Sequence, residues 1–225
     1  KSCFWPGPKL RTGYYTTDPD DYGLENQIPD IGNTFSTAWF KLPAGAKIVM
    51  KGEFPHLRHW SFVTYTEEGV PRDGLYDSEI EPDAGSSNPF RPGVSRDVQP
   101  RRYTISIVNG APPEPKAARA PNTIYTLAEP GAAIGMHMRN YVPDRSIDWT
   151  GGVGVPRVEL HTADGKVLNE QDACAATDAP RRGKQVPVTV SKKLWLALNS
   201  LPWRPADRTP AANFEVAPMV KFYNR

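Results

Sequence analysis

Within 225 residues, 27 lysines and arginines stand against 25 aspartates and glutamates. The basic residues are scattered in pairs such as Arg101-Arg102 and Arg181-Arg182, which excludes the basic stripe of a nucleic-acid-binding protein. No apolar run approaches the roughly 18 residues of a membrane span, and 24 prolines beside 18 glycines favour many loops between short strands over a helical bundle.

The length suits one well-cored domain. Residues 1–33 carry the turn signals PGP, DPDD and IPDIGN without a sustained period, and they read as a long extended arm. The β-sandwich core is expected over 34–174. TFSTAWFKL (34–42) and AKIVMKGEF (46–54) alternate around PAGA and predict a hairpin. FPHLRHWSFVTYTEEG (54–69) opens the next strand, with Pro55 at its start because an internal proline would remove a ladder donor. Its phase places His56, Arg58, Trp60, Phe62 and Thr64 on one face and Leu57, His59, Ser61, Val63 and Tyr65 on the other.

Residues 73–93 form an acidic-to-proline loop around one short strand, and RRYTISIVNG (101–110) is a clear strand. After PPEPKAARAP, the segments NTIYTLAE (122–129) and AIGMHMRNYV (133–142) predict a second hairpin about the EPGA turn, and VPRVELH (155–161) is a strand closed by ADG. In the tail, 175–225, Ser191 precedes Leu194, Leu198 and Leu201 at helical spacing, so one short helix is expected over 191–201. Short strands with turn punctuation and no βαβ alternation predict an all-β fold, an antiparallel sandwich of jelly-roll type.

Two strands carry the same pattern, His-x-Arg with an aromatic four residues after the histidine. They are His56, Arg58 and Trp60 on one, and His137, Arg139 and Tyr141 on the other. The solvent face of a half-buried strand explains any one of these residues. Their coincidence on two strands suggests a shared cleft in which Arg58 and Arg139 neutralise an anion, His137 and Trp60 line the ligand, and His56 or Tyr141 moves a proton. No metal is expected. Period two separates His56 from His59, and His137 from Met136 and Met138, while the series Asp77, Glu79, Glu81, Asp83 lacks EF-hand spacing and reads as a solvated loop. Nucleophile elbows, phosphate loops and dinucleotide fingerprints are missing, so no cofactor is expected.

Cys3 and Cys174 are the only cysteines and form no CxxC. They are either a disulfide or two buried thiols, and a composition suited to an oxidising compartment points to the disulfide.

RHWSFVTY, the NPF at 88–90, RRYTISI and the series MRNYVPD, GGVGVPRVEL and ADG resemble an exported bacterial domain of unknown function. That domain forms the carboxy-terminal part of many periplasmic proteins, and the likeness spans residues about 46–168. The resemblance implies an all-β, jelly-roll-like fold and an exported protein, with no catalytic residues to carry over. The expected localisation is therefore periplasmic or extracellular, with the signal peptide not in this chain. The expected function is binding of a small organic or carbohydrate ligand. Two alternatives are a lyase or isomerase that uses arginine to neutralise a carboxylate and His or Tyr as acid or base, and a structural or surface-assembly protein.

Overall fold

The computed structural model describes residues 4–5, 33–67 and 69–179. Among these, nine strands form two sheets. In chain order they are β1 (Asn33–Phe40), β2 (Lys47–Glu53), β3 (Leu57–Tyr65), β4 (Pro71–Tyr76), β5 (Arg102–Val108), β6 (Thr123–Tyr125), β7 (Ile134–Pro143), β8 (Arg157–His161) and β9 (Val167–Asn169), followed by α1 (Glu170–Ala176). One sheet has the order β1-β7-β3-β4, the other β6-β5-β2-β8-β9. This is the all-β sandwich that the strand periodicity predicts.

Alternation builds the core. Ala38 and Phe40 of β1, Ile48 and Met50 of β2, Trp60 and Phe62 of β3, Tyr103, Ile105 and Ile107 of β5, Met136 and Met138 of β7, and Val158 and Leu160 of β8 all bury their side chains in one cluster. Aromatic rings make its centre. Trp60 lies 4.9 Å from Tyr103, 5.0 Å from Phe62 and 6.0 Å from Phe54, centroid to centroid. The N-terminal residues Phe4 and Trp5 join from outside the sheets, against Phe40 and Phe62 at 5.3 and 6.2 Å.

Several connections differ from expectation. The two predicted hairpins are instead crossings between sheets: β1 pairs with β7, and β2 with β5 and β8. Likewise β6 and β7 lie in different sheets. Local turn chemistry such as PAGA or EPGA suits an arch between sheets as well as a hairpin, so alternation predicts the strands and not their sheet. The sandwich is also not wholly antiparallel. β5 and β6 run parallel, which requires a long return connection, and the proline-rich loop between them supplies it. Asn122 ends that loop with φ 50°, its amide donating to the carbonyls of Glu81 and Thr104 at 2.8 and 2.9 Å.

α1 was not expected. Its seven residues are too few to show a period, and only Ala173 and Cys174 are buried. The expected helix over 191–201 and, Phe4 and Trp5 apart, the arm before residue 33 lie outside the described residues. The sheets are joined at one side by Asp73, whose carboxylate accepts from the backbone of Tyr125 at 2.9 Å and from Arg119 at 3.2 Å.

Gly52 pairs with Tyr103 in register, and the ring occupies the space a side chain would take: a Cβ there would lie 2.5 Å from the Tyr103 hydroxyl. Gly52→Ala should displace the ring from the aromatic centre and cost about 1–3 kcal/mol, as overpacking does. The expected result is a lower urea midpoint at unchanged slope. An unchanged midpoint would show that the ring moves aside without loss.

Candidate functional site

The outer face of the four-stranded sheet concentrates the chemistry. Because Trp60 and Phe62 turn into the core, His59, Ser61, Val63 and Tyr65 turn outward on β3. On β7 the outward residues are Gly135, His137, Arg139 and Tyr141, since Met136 and Met138 face the core. Register then sets neighbours: His59 is opposite Tyr141, Ser61 opposite Arg139, Val63 opposite His137 and Tyr65 opposite Gly135. Beyond β7, Phe35 of β1 stands opposite Arg139, and Tyr76 of β4 flanks Ser61.

Of the residues singled out in the sequence, His137, Arg139 and Tyr141 therefore share one face. The other three do not join them. Trp60 is 1 % exposed in the core, because its indole is the largest apolar surface on β3 and dictates the inward phase. Arg58 has the same phase as Trp60, opposite to Arg139, and is exposed at the end of β3. His56 precedes β3 and is spent on scaffolding: its Nε2 accepts from the buried Arg101 guanidinium at 2.7 Å. Arg101 also donates to the Arg96 carbonyl at 2.9 Å, and Arg96 pairs with Asp144 at 2.8 Å. These ties hold a loop junction.

Arg139 is held between rings. Its guanidinium carbon lies 5.6 Å from the centroid of Phe35 and 5.9 Å from that of Tyr65, and one Nη donates to the Tyr65 hydroxyl. No described carboxylate pairs with it. Its buried Nε has no hydrogen-bond partner, and neither does the buried Oγ of Ser61 directly across the ladder. Burial raises the Tyr65 phenol above its usual range, partly offset by Arg139, so the ring stays protonated at neutral pH. His137 is sandwiched between Tyr65 at 4.5 Å and Phe35 at 5.9 Å.

A second centre adjoins the first. His59 Nδ1 lies 2.7 Å from Asp77 Oδ2, and that buried carboxylate also accepts from the backbone of Trp60 at 3.0 Å and of Ser78 at 2.6 Å. Asp77 opens a 3-10 turn (Asp77–Glu79). Asn88 pins the turn by donating to the carbonyls of Asp77 and Ile80 at 2.7 and 2.8 Å. The NPF stretch thus acts as a bracket for Asp77. The reading of Asp77 as part of a solvated loop fails, because it sits beneath the end of β3. Among the described residues no three His, Cys, Asp or Glu side chains gather as metal ligands.

No family model and no curated protein matches the chain. Among solved structures, an uncharacterised protein from Burkholderia cenocepacia matches with a TM-score of 0.36 and 15% identity, over 61% of this chain and 31% of its own. A structural-genomics target from Vibrio parahaemolyticus matches with a TM-score of 0.36 and 16% identity, over 55% of this chain and 30% of its own. The match thus spans about three tenths of the length of those structures. Likenesses of this size carry no functional argument.

Burial, reinforced by the Arg139 charge, pulls the His137 imidazole down to about 4. The unfolded chain, near 6.5, then binds more protons than the folded one between these values. Stability should consequently be flat above pH 6.5 and fall as pH drops towards 4, by up to about 3 kcal/mol. Urea midpoints measured across that range check this, with His137→Phe expected to flatten the slope. An equally steep slope in the variant would place the proton elsewhere.

Proposed function

We propose that this chain is an exported β-sandwich protein whose outer four-stranded face binds a small anionic organic or carbohydrate ligand. One observation carries the reading: Arg139 is a partly buried cation held by two rings and a phenol, with no carboxylate to neutralise it among the described residues. A buried polar atom left without a partner costs roughly 1–3 kcal/mol, and the Arg139 Nε and the Ser61 Oγ, on residues paired across one rung, both lack one. Arginine's planar fork suits a carboxylate or phosphate, while Tyr65, Tyr141 and Tyr76 offer rings and hydroxyls to the rest of the molecule. Histidine on this face is supplied by His59 and His137 in place of His56.

Titration calorimetry with a panel of small carboxylates and uronic acids tests the reading. Arg139→Ala should weaken binding at least tenfold, worth about 1.4 kcal/mol. Arg58→Ala, on the opposite phase, should leave it unchanged. Equal affinity in the Arg139 variant would remove the face from consideration.

The exported reading rests on composition and on the family resemblance, and it includes the Cys3–Cys174 disulfide. Cys3 lies outside the described residues. Support comes from its sequence neighbours Phe4 and Trp5, which belong to the same core cluster as Cys174 of α1. Alkylation of unfolded, unreduced protein followed by intact-mass analysis should find no reactive thiol, and two alkylated cysteines would refute the pairing.

A further inference from the structure

We propose that a cavity at one end of the sandwich, separate from the Arg139 face, binds a small monoanion with an apolar body, the chemistry of an alkyl or aryl monocarboxylate. This second site does not rest on the anion-binding reading above.

The cavity has a volume of about 440 Å³, within the range of small-molecule sites, about 300–1,000 Å³. Four stretches of chain meet there: the β1–β2 connection, the ends of β5 and β8, and the turn at Pro130 and Gly131 before β7. Hydrogen bonds within the protein hold them. Asn109 fastens the end of β5 to the β6–β7 loop, its Oδ1 accepting from Thr126 Oγ1 and the Ala128 backbone at 2.9 Å and its Nδ2 donating to the Ala128 carbonyl at 2.8 Å. The Ala46 N–H closes the β1–β2 connection on the Pro43 carbonyl at 3.0 Å. Gly45, at φ 69°, lies so near the β8–β9 turn that a Cβ there would stand 3.0 Å from that of Ala163. Walls fixed in this way lower the ordering cost of binding.

The lining divides by chemistry. Leu42, Pro43, Val108 and Pro130 supply carbon surface, and no Phe, Tyr or Trp is among the lining residues. That favours an apolar body held by burial over a sugar ring held by stacking. No aspartate or glutamate lines the cavity either, whereas Lys47 does, and it has no carboxylate partner among the described residues.

Register explains why Lys47 is left over. It starts β2 directly opposite His161 of β8, on the outward phase, because Ile48 and Leu160 turn into the core. Glu159, two residues before His161 on the same phase, is already engaged: Lys51 donates to its two oxygens at 2.8 and 2.9 Å, and His161 Nε2 lies 3.0 Å from Oε2. The Lys51 and His161 hydrogen bonds hold the Glu159 carboxyl below its usual range, so it stays ionised with those partners. Thr162 commits its hydroxyl within its own turn, to Asp164 and Lys166. One uncompensated ammonium beside carbon surface selects a single negative charge. A second charge on the ligand would leave water with no lining cation to meet it, which disfavours a dianion. Lysine acts as a point charge and does not demand the two-pronged geometry that arginine does.

The test titrates the whole isotope-labelled chain with phenylbutyrate and follows the backbone amides by NMR. Saturable shifts are expected at Gly45, Lys47, Asn109, Gly131 and Thr162. Lys47→Met removes the charge from an exposed side chain and should weaken the probe at least tenfold, about 1.4 kcal/mol, while Lys47→Arg should keep most of the affinity. The uncharged amide of the same acid should bind at least tenfold more weakly, and acetate, which has the charge without the apolar body, should give no saturable shift. Arg139→Ala should leave binding at the cavity unchanged. Shifts confined to β3 and β7, or lost in Arg139→Ala, would assign the probe to the outer face and overturn the proposal. Equal affinity for acid and amide, equal affinity in Lys47→Met, or no saturable shift at millimolar probe would overturn it as well.

Discussion

The packing of Trp60 against Phe54, Phe62 and Tyr103 sets the phase of β3, and with it every neighbour relation on the outer face. A slip of one residue would expose Trp60 and Phe62 and bury His59, Ser61 and Tyr65. Each large apolar side chain loses about 1.5–3 kcal/mol on exposure, so two such losses approach the whole stability of a small domain, about 5–15 kcal/mol. Phase is therefore not negotiable. Given β3, the antiparallel ladder to β7 brings Ser61 to Arg139 and His59 to Tyr141 without any further choice.

Two buried or partly buried arginines show how differently one side chain can be used. Arg101 is 1% exposed and spends its donors on carbonyls and His56, tying loops that belong to no strand pair. Arg139 spends one donor on a phenol and presents its charge to a ring-lined surface. Both leave a buried Nε without a partner; the difference is that both terminal nitrogens of Arg101 are bonded and only one of Arg139 is. The same contrast separates His56, which accepts from an arginine, from His59, whose Nδ1 lies against a carboxylate and whose side chain is partly exposed.

Much of the fold was legible because period two is a local property. The strands around residues 34–42, 46–54, 57–65, 101–110 and 133–142 follow from alternation alone, as does the shared face of His137, Arg139 and Tyr141. Sheet membership was not legible, since a turn such as PAGA serves a hairpin or an arch equally well, and the choice depends on which faces must be buried together. On β3 the two phases were separated correctly, and the phase that carries Trp60 and Arg58 is not the one that faces Arg139. The indole was the available signal: a tryptophan alternating with phenylalanine in a central strand marks the core side, leaving His59 and Tyr65 to the other. Asp77 carried no comparable signal, because its partner lies eighteen positions away and is reached only through the turn that Asn88 brackets.

β7 occupies an interior place in its sheet, with β1 on one side and β3 on the other, although it follows both in the chain by many residues. As the polypeptide emerges amino terminus first, β1 and the β3–β4 pair stand with open edges and exposed aromatic faces until the segment ending at Pro143 arrives between them. Such a sheet cannot grow by adding strands at its rim, and its contacts are long in sequence, the circumstance that slows folding. Unfinished edges next to apolar faces invite association with other chains. The outer face is thus assembled when its last strand enters, and a polypeptide interrupted before that point would yield aggregate instead of a smaller folded unit.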